Sequence, residues 1–295
     1  MNDLPRLKPD PIPAIRPVPE YEADERLQAV YAETKERLQT PWMGVVTMAF
    51  AAYPNFYGAL WSGFRALADQ KEFVDACARL RSEAETAAVA LGPTPLQETM
   101  LAKGYGPREI DEIRALIEVF SHGNMPYLMI ATAARMLLEG DTLSEARAVT
   151  PYDGRHGPAA GQRLTLIEPH HADAPTQDIY AEIQSVLGLP FVNTDYRALA
   201  RWPSYFQAAW GDLRPKIGTK AYEAATTTVH ARATTEMRAA PNPGDLSAER
   251  LIEAARKDAT VAEVREVARL FQWLLPGLAL NVAYFRSQLG GSPTL

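Results

Sequence analysis

YAETKERLQTPWMGVVTMAFAAYPNFYGALW, residues 31–61, and YAEIQSVLGLPFVNTDYRALARWPSYFQAAW, residues 180–210, are one stretch written twice. A shift of 149 positions lays the first on the second without a gap. Tyr31, Leu38, Pro41, Pro54 and Trp61 meet Tyr180, Leu187, Pro190, Pro203 and Trp210. Aromatics replace aromatics where Trp42, Tyr53 and Phe56 meet Phe191, Trp202 and Tyr205. Solenoid units run roughly 20–50 residues, so a duplicated and fused ancestor is the simpler reading. One pair differs in chemistry: apolar Val46 meets Asp195. A position that accepts Val rarely holds a carboxylate unless that carboxylate is paired, exposed or used.

Working outward, the pattern is helical. Asp24 can cap a helix whose apolar face is Leu27, Val30, Tyr31, Thr34 and Leu38, ended by Pro41. Residues 56–91 read as two long helices. Gly106-Pro107 opens another, with Ile110, Ile113, Leu116, Ile117 and Phe120 as its stripe. Residues 121–126 (SHGNMP) are expected to interrupt it, before an almost wholly apolar buried helix over 127–138. Thr142-Leu143-Ser144-Glu145 offers a capping box for a short last helix. The second copy repeats helices over 177–187, 204–213 and 220–237, with a cap at Ser247. A box at Thr260–Glu263 opens a helix to about 289, which Pro276-Gly277 should kink. No alternating period-two run of useful length occurs, so the expected fold is all-α.

The expected organisation is a Pro-rich arm over 1–19, a first helical repeat over 20–149, a linker over 150–175 and a second repeat over 176–295. The arm should lie on the surface or on a partner subunit, and a homo-oligomer is expected. A chain of 295 residues can bury about 75% of its unfolded surface. Two such halves suit one intimate pseudo-dimer or two domains.

Composition removes several functions. The net charge is −6 with both signs interspersed and no basic face, so nucleic acid is not an expected partner. No apolar run approaches the ~18–20 residues of a membrane span, and residues 1–19 lack the apolar core of a signal peptide. The expected location is the cytoplasm. Cys77 stands alone in a helical stretch and reads as a buried hydrophobe, which argues against thiol redox chemistry. Glu168, His170, His171 and Asp173 match no common metal spacing, so neither a metal nor another cofactor is expected. No Gly-x-Ser-x-Gly elbow or phosphate loop is present.

Asp195 reads in two ways. It could be the N-cap of the helix that follows, accepting a backbone N–H. It could instead be a functional group, because Val46 occupies the equivalent place without capping anything. Asn124 is its counterpart in the first copy, since the matching stretch, Trp273-Leu274-Leu275-Pro276, repeats the Pro but not the amide. Asn124 could equally be a residue tolerating a helix break. As functional groups, the two departures are expected to face one cavity between the halves.

These residues resemble the group I 2-haloacid dehalogenases, the DehI type. The resemblance rests on Pro41-Trp42, Leu91-Gly92-Pro93, Gly123-Asn124 followed closely by Pro126 and Tyr127, Asp195, and Ala198-Leu199-Ala200-x-Trp202-Pro203. It implies two helical repeats packed as a pseudo-dimer with the site between them. It implies hydrolysis of short 2-haloalkanoic acids to 2-hydroxy acids with inversion at C2. Asp195 would activate the water, Asn124 would hold it, and no ester would form. Trp42 would be a pocket aromatic, and Thr194 a small hydroxyl residue near the substrate carboxylate, just before a helix start. Phe271, Leu274 and Leu275 would form an apolar wall. Val45 stands where Phe can occur, which implies a different pocket floor. No role is carried over to the helix around Asp69–Glu72. Members acting on both enantiomers carry Ala where Asn193 stands, so a longer side chain there implies selectivity for the D substrate; a solvent-facing Asn193 would imply none. The competing readings are a non-stereospecific dehalogenase and a non-catalytic helical scaffold in which Asp195 only caps a helix.

Overall fold

A computed structural model describes residues 4–158 and 164–293. Residues 1–3 of the expected arm and 159–163 of the expected linker lie outside the described residues. Twelve α-helices and no extended sheet are present among the described residues. The first six are α1 (Glu25–Leu38), α2 (Val45–Ala51), α3 (Pro54–Phe64), α4 (Lys71–Val89), α5 (Gln97–Ala102) and α6 (Pro107–Leu138). The second six are α7 (Ala174–Leu187), α8 (Thr194–Leu199), α9 (Pro203–Leu213), α10 (Lys220–Ala239), α11 (Ala248–Arg256) and α12 (Val261–Gln288). The all-α expectation holds.

The correspondence between copies extends to individual bonds. Helices α1 and α7, and α3 and α9, begin and end at positions 149 apart. Asp24 accepts from Leu27 N at 2.8 Å, and Asp173 from Thr176 N at 3.0 Å. Tyr31 Oη donates to Val18 O and Tyr180 Oη to Ile167 O, each at 2.8 Å. Trp61 Nε1 donates to Glu33 at 3.0 Å, and Trp210 Nε1 to Glu182 at 2.6 Å. The tyrosine and tryptophan bonds satisfy polar atoms of buried side chains that would otherwise carry a desolvation penalty.

The two longest helices, α6 and α12, pack along each other through the middle of the molecule, with α4 and α10 on their flanks. Here the expected break at 121–126 is overturned: α6 runs unbroken for 32 residues with Pro126 inside it. Pro lacks the N–H for the His122 carbonyl, a defect worth about 3 kcal/mol. From Gly123 to Leu138 every residue of α6 is buried. Close packing on all sides therefore holds the helix through the defect. α12 likewise continues through Pro276.

The Thr142–Glu145 box starts no helix. Asp141 Oδ1 accepts from Thr142 N at 3.0 Å and Ser144 Oγ from Ala146 N at 3.1 Å, while Ala146 O accepts from Asn242 N at 2.7 Å. Local side chains and a neighbouring segment take the backbone groups that a helix would use. The arm lies on its own chain. His230 Nε2 bonds the Leu4 carbonyl at 2.6 Å, and Arg135 Nη1 donates to Pro5 O at 3.0 Å. No helix of the described residues is long and apolar enough to cross a membrane.

Tyr31→Phe and Tyr180→Phe should each lower the unfolding free energy by about 0.5–1.5 kcal/mol, read from denaturant midpoints. A large loss in one with none in the other would show that the matched bonds are not equivalent.

Candidate active site

α8 begins one residue before Asp195. Its N-cap is Asn193, whose side chain makes no capping bond, and Thr194 is the first helical residue rather than one just outside. Asp195 is therefore not the cap, and its carboxylate is turned elsewhere. Asn124 Nδ2 donates to Asp195 Oδ1 at 2.8 Å, joining α6 to α8 across 71 positions of sequence. The bond sits in the interior: Asp195 is 3% exposed and Asn124 4%. The two polar departures from the copies thus meet.

Burial pushes the Asp195 carboxyl up to about 6, against the pull of the Asn124 amide, its own backbone N–H and the Arg197 guanidinium. Arg197 can oppose burial only weakly, because its Nη1 lies 2.7 and 2.8 Å from the two Glu168 oxygens. A carboxylic acid poised near neutrality in an enclosed place has the properties of a general base.

Trp42 lies against α6 beside Asn124. A Cβ on Gly123 would fall 2.2 Å from Trp42 Cη2, so glycine is what lets the indole approach. Phe120 meets the ring edge-on at 5.0 Å, and Tyr127 Oη donates to the Trp42 carbonyl at 2.6 Å. Phe271 packs edge-on against Phe50 at 6.1 Å. Thr194 is buried, with Oγ1 accepting from Arg197 Nη2 at 3.4 Å. Val45 opens α2 half-buried, and Leu275 is buried on α12.

Asn193 is 7% exposed, which overturns the solvent-facing alternative. It lines a cavity of about 110 Å³ with Tyr196, Tyr222, Leu274, Asn281 and Arg6. Asn193 at the N-cap of α8 and Tyr196 within it both line this cavity, whereas Asp195, between them in the chain, is not in its wall. Of the expected pocket residues, Asn193 and Leu274 share this cavity; Trp42, Val45, Phe271 and Leu275 are not in its wall.

Sequence reasoning missed Arg6, Tyr196, Tyr222 and Asn281. Aligning Pro126 with Pro276 sets Asn281 opposite Ala131, so the comparison that found Asn124 could have found Asn281. Arg6 gave no such signal. The residues weighed as a metal set are otherwise engaged: Asp173 caps α7 and Glu168 pairs with Arg197. No group of three or more His, Cys, Asp or Glu is placed to hold a metal among the described residues.

Known proteins are similar to this chain in sequence and fold. Residues 190–294 fit the family model described as halocarboxylic acid dehydrogenase DehI. The chain is 47% identical over 247 residues to an (R)-2-haloacid dehalogenase of Rhizobium sp. (strain NHG3), covering 83% of this chain and 96% of that one. It is 37% identical over 278 residues to an (R)-2-haloacid dehalogenase of Pseudomonas putida, covering 93% and 92%. A solved structure of a mutant D-2-haloacid dehalogenase with D-2-CPA superposes with a TM-score of 0.83 at 35% identity, over 94% of this chain and 96% of that one. A complex of a D-2-haloacid dehalogenase with L-LA gives 0.85 at 35% identity, over 97% and 100%.

Because the Asp195 carboxyl is raised in the folded state, the stability it contributes is complete below its unfolded value near 3.8 and is lost as the pH rises through about 6. The native chain should therefore lose up to roughly 3 kcal/mol between these limits relative to Asp195→Asn, at about 1.4 kcal/mol per unit. Urea unfolding at pH 4 and pH 7 measures the difference; parallel curves would mean the carboxyl is not raised.

Proposed function

The chain belongs to the group I, DehI-type, 2-haloacid dehalogenase family, and from that premise we propose that it hydrolyses short D-2-haloalkanoic acids to L-2-hydroxy acids with inversion at C2. The observation that carries the mechanism is the enclosed 2.8 Å bond between Asn124 and Asp195. It engages one carboxylate oxygen of Asp195. The other is left to accept a proton from water. The amide oxygen of Asn124 is an acceptor for that water's second hydrogen, so the pair orients the water without adding charge.

As the water oxygen bonds to C2, its proton passes to Asp195 and the carbon–halogen electron pair leaves with the halide. No enzyme ester is formed. Attack opposite the leaving group inverts the centre. Inversion accords with two more distant relatives, at 22% and 24% identity, named configuration-inverting 2-haloacid dehalogenases. General-base assistance of this kind is worth about 10²–10⁴-fold. Trp42 would offer the weakly hydrated halide an apolar, polarisable neighbour, with Val45, Phe271, Leu274 and Leu275 as the apolar surroundings. Thr194 would lie near the substrate carboxylate. α8 has only six residues, so its dipole is a small part of any carboxylate binding.

Asn193 would supply the enantiomer preference by crowding the L arrangement of substituents at C2. Its burial supports that role, as do the (R) and D names of the similar enzymes. The non-stereospecific reading has no comparable support. The two halves, over 20–149 and 176–295, are read as a fused pseudo-dimer with the arm and linker outside them. A homo-oligomer in the cytoplasm completes this reading, and no metal or other cofactor takes part in it.

Native protein should release chloride from D-2-chloropropionate and yield the L hydroxy acid. Asp195→Asn should lower the rate by about 10³-fold or more, and Asn124→Ala by about 10–100-fold. Release by Asp195→Asn at the native rate would remove Asp195 from the mechanism. No release from any haloacid would favour a scaffold. In kcat/KM the acid limb should fall near the Asp195 value of about 6. Asn193→Ala should raise turnover of the L substrate relative to the D; equal turnover of both by the native chain would sink the steric account.

A further inference from the structure

The cavity behind α8 contains polar groups that the water-activating pair does not use. Arg6 reaches it from the arm, far from every other wall in sequence. Its side chain is only 9% exposed. Nε donates to the Trp273 carbonyl at 3.0 Å, Nη1 donates to Glu223 Oε2 at 2.9 Å, and the guanidinium lies 5.5 Å from the Trp273 ring centroid. Nη2 has no acceptor among the described residues. Glu223 also lines the cavity but is half-exposed, so water screens its attraction for the guanidinium.

Two further donors are aimed at the same space. Tyr222 Oη donates to Asn281 Oδ1 at 2.9 Å, and Asn281 Nδ2 donates to Tyr196 Oη at 2.8 Å. The chain of bonds ends there. Tyr196 accepts from Asn281 and has no acceptor for its own hydrogen among the described residues. Burial holds its hydroxyl well above the usual tyrosine range, so the proton stays. The Asn193 amide, more than nine-tenths buried, likewise bonds no described residue. Arg6, Asn193 and Tyr196 converge on one cavity, with Leu187, Leu189 and Leu278 completing an apolar wall. At about 110 Å³ its room is several times what one water needs.

We propose that Arg6, Asn193 and Tyr196 form a receptor for a small monovalent anion, in the cavity lined by the residue that follows Asp195. Its chemistry fits the carboxylate of a short 2-substituted acid, whose alkyl part would meet the leucines, or a free halide. The inference rests on the dehalogenase reading for the source of the anion, and on the three donors alone for its existence. The arm is then a working part of the molecule, because it delivers the one cation in the cavity wall among the described residues.

The test separates the two. L-lactate and bromide are titrated calorimetrically into Asp195→Asn protein, alone and combined with Arg6→Gln, Arg6→Lys, Asn193→Ala or Tyr196→Phe. Binding of either anion should weaken roughly tenfold or more with Arg6→Gln and a few-fold with Tyr196→Phe, and recover in part with Arg6→Lys. Whichever anion shows this pattern identifies the source. In the otherwise native chain, Arg6→Gln should raise KM for D-2-chloropropionate about tenfold with kcat little changed if the carboxylate is the ligand. Where Arg6→Gln fails to fold, Arg6→Lys and Tyr196→Phe carry the comparison. Undiminished affinity for both anions in the substituted proteins, or no binding to the parent, overturns the receptor even where halide is released. Anion binding lost with Arg6→Gln, in a chain that dehalogenates nothing, leaves the receptor standing and removes the dehalogenase.

Discussion

The structure depends on keeping one ionisable carboxylate out of water with a single neutral partner. Desolvation raises the free energy of ionised Asp195, and a full ion pair would lower it again. The fold does not supply one. The nearby cation, Arg197, is taken by Glu168, and the direct partner is the amide of Asn124. The carboxyl is thereby left near neutrality instead of being fixed as a stable anion. Replacing the amide with a cation would return it to the ordinary acidic range and weaken it as a base. Under the proposed role as general base, stability is given up here for reactivity, as is common where a site is preorganised.

Holding that arrangement falls to the two long central helices. Asn124 stands two residues before Pro126, inside a helix that local chemistry would end. The defect persists because α6 is buried along its remaining length and α12 packs beside it with a proline of its own. Gly123 lets Trp42 close on the helix where a methyl group would collide. One short segment thus contains a residue that removes a hydrogen bond, a residue that removes a side chain, and the amide. The surroundings over-determine its conformation, which is the condition for keeping such a combination in place.

The equivalence of the halves explains where polar groups were free to appear. Bonds such as Tyr31 to Val18 and Tyr180 to Ile167 recur because they close the same helix corners. Positions not needed for these bonds differ. Val46 and Asp195, Leu274 and Asn124, and Ala131 and Asn281 are pairs in which one copy is apolar. Asp195 lies on α8 and Asn281 on α12. The first serves the bond to α6, the second the hydroxyl chain to Tyr196.

Much of this was readable along the chain. The 149-residue offset, the caps at Asp24, Ser247 and Thr260 and the helical period define an all-α fold, because caps and periodicity are properties of neighbours in sequence. Asp195 and Asn124 were legible for a related reason: a copy shows what a position holds when it has no task. Three features had to wait for the tertiary structure. Local rules end a helix at Pro126 and begin one at Thr142, yet burial carries the first through and competing bonds prevent the second. Asp195 looks like a cap from its neighbours alone, and only the approach of α6 gives its carboxylate another partner. Arg6 has no pattern around it, since what matters is that the arm folds back across Trp273 and Glu223. Sequence neighbours determine which elements form; which side chains lose water together is decided only when distant segments pack.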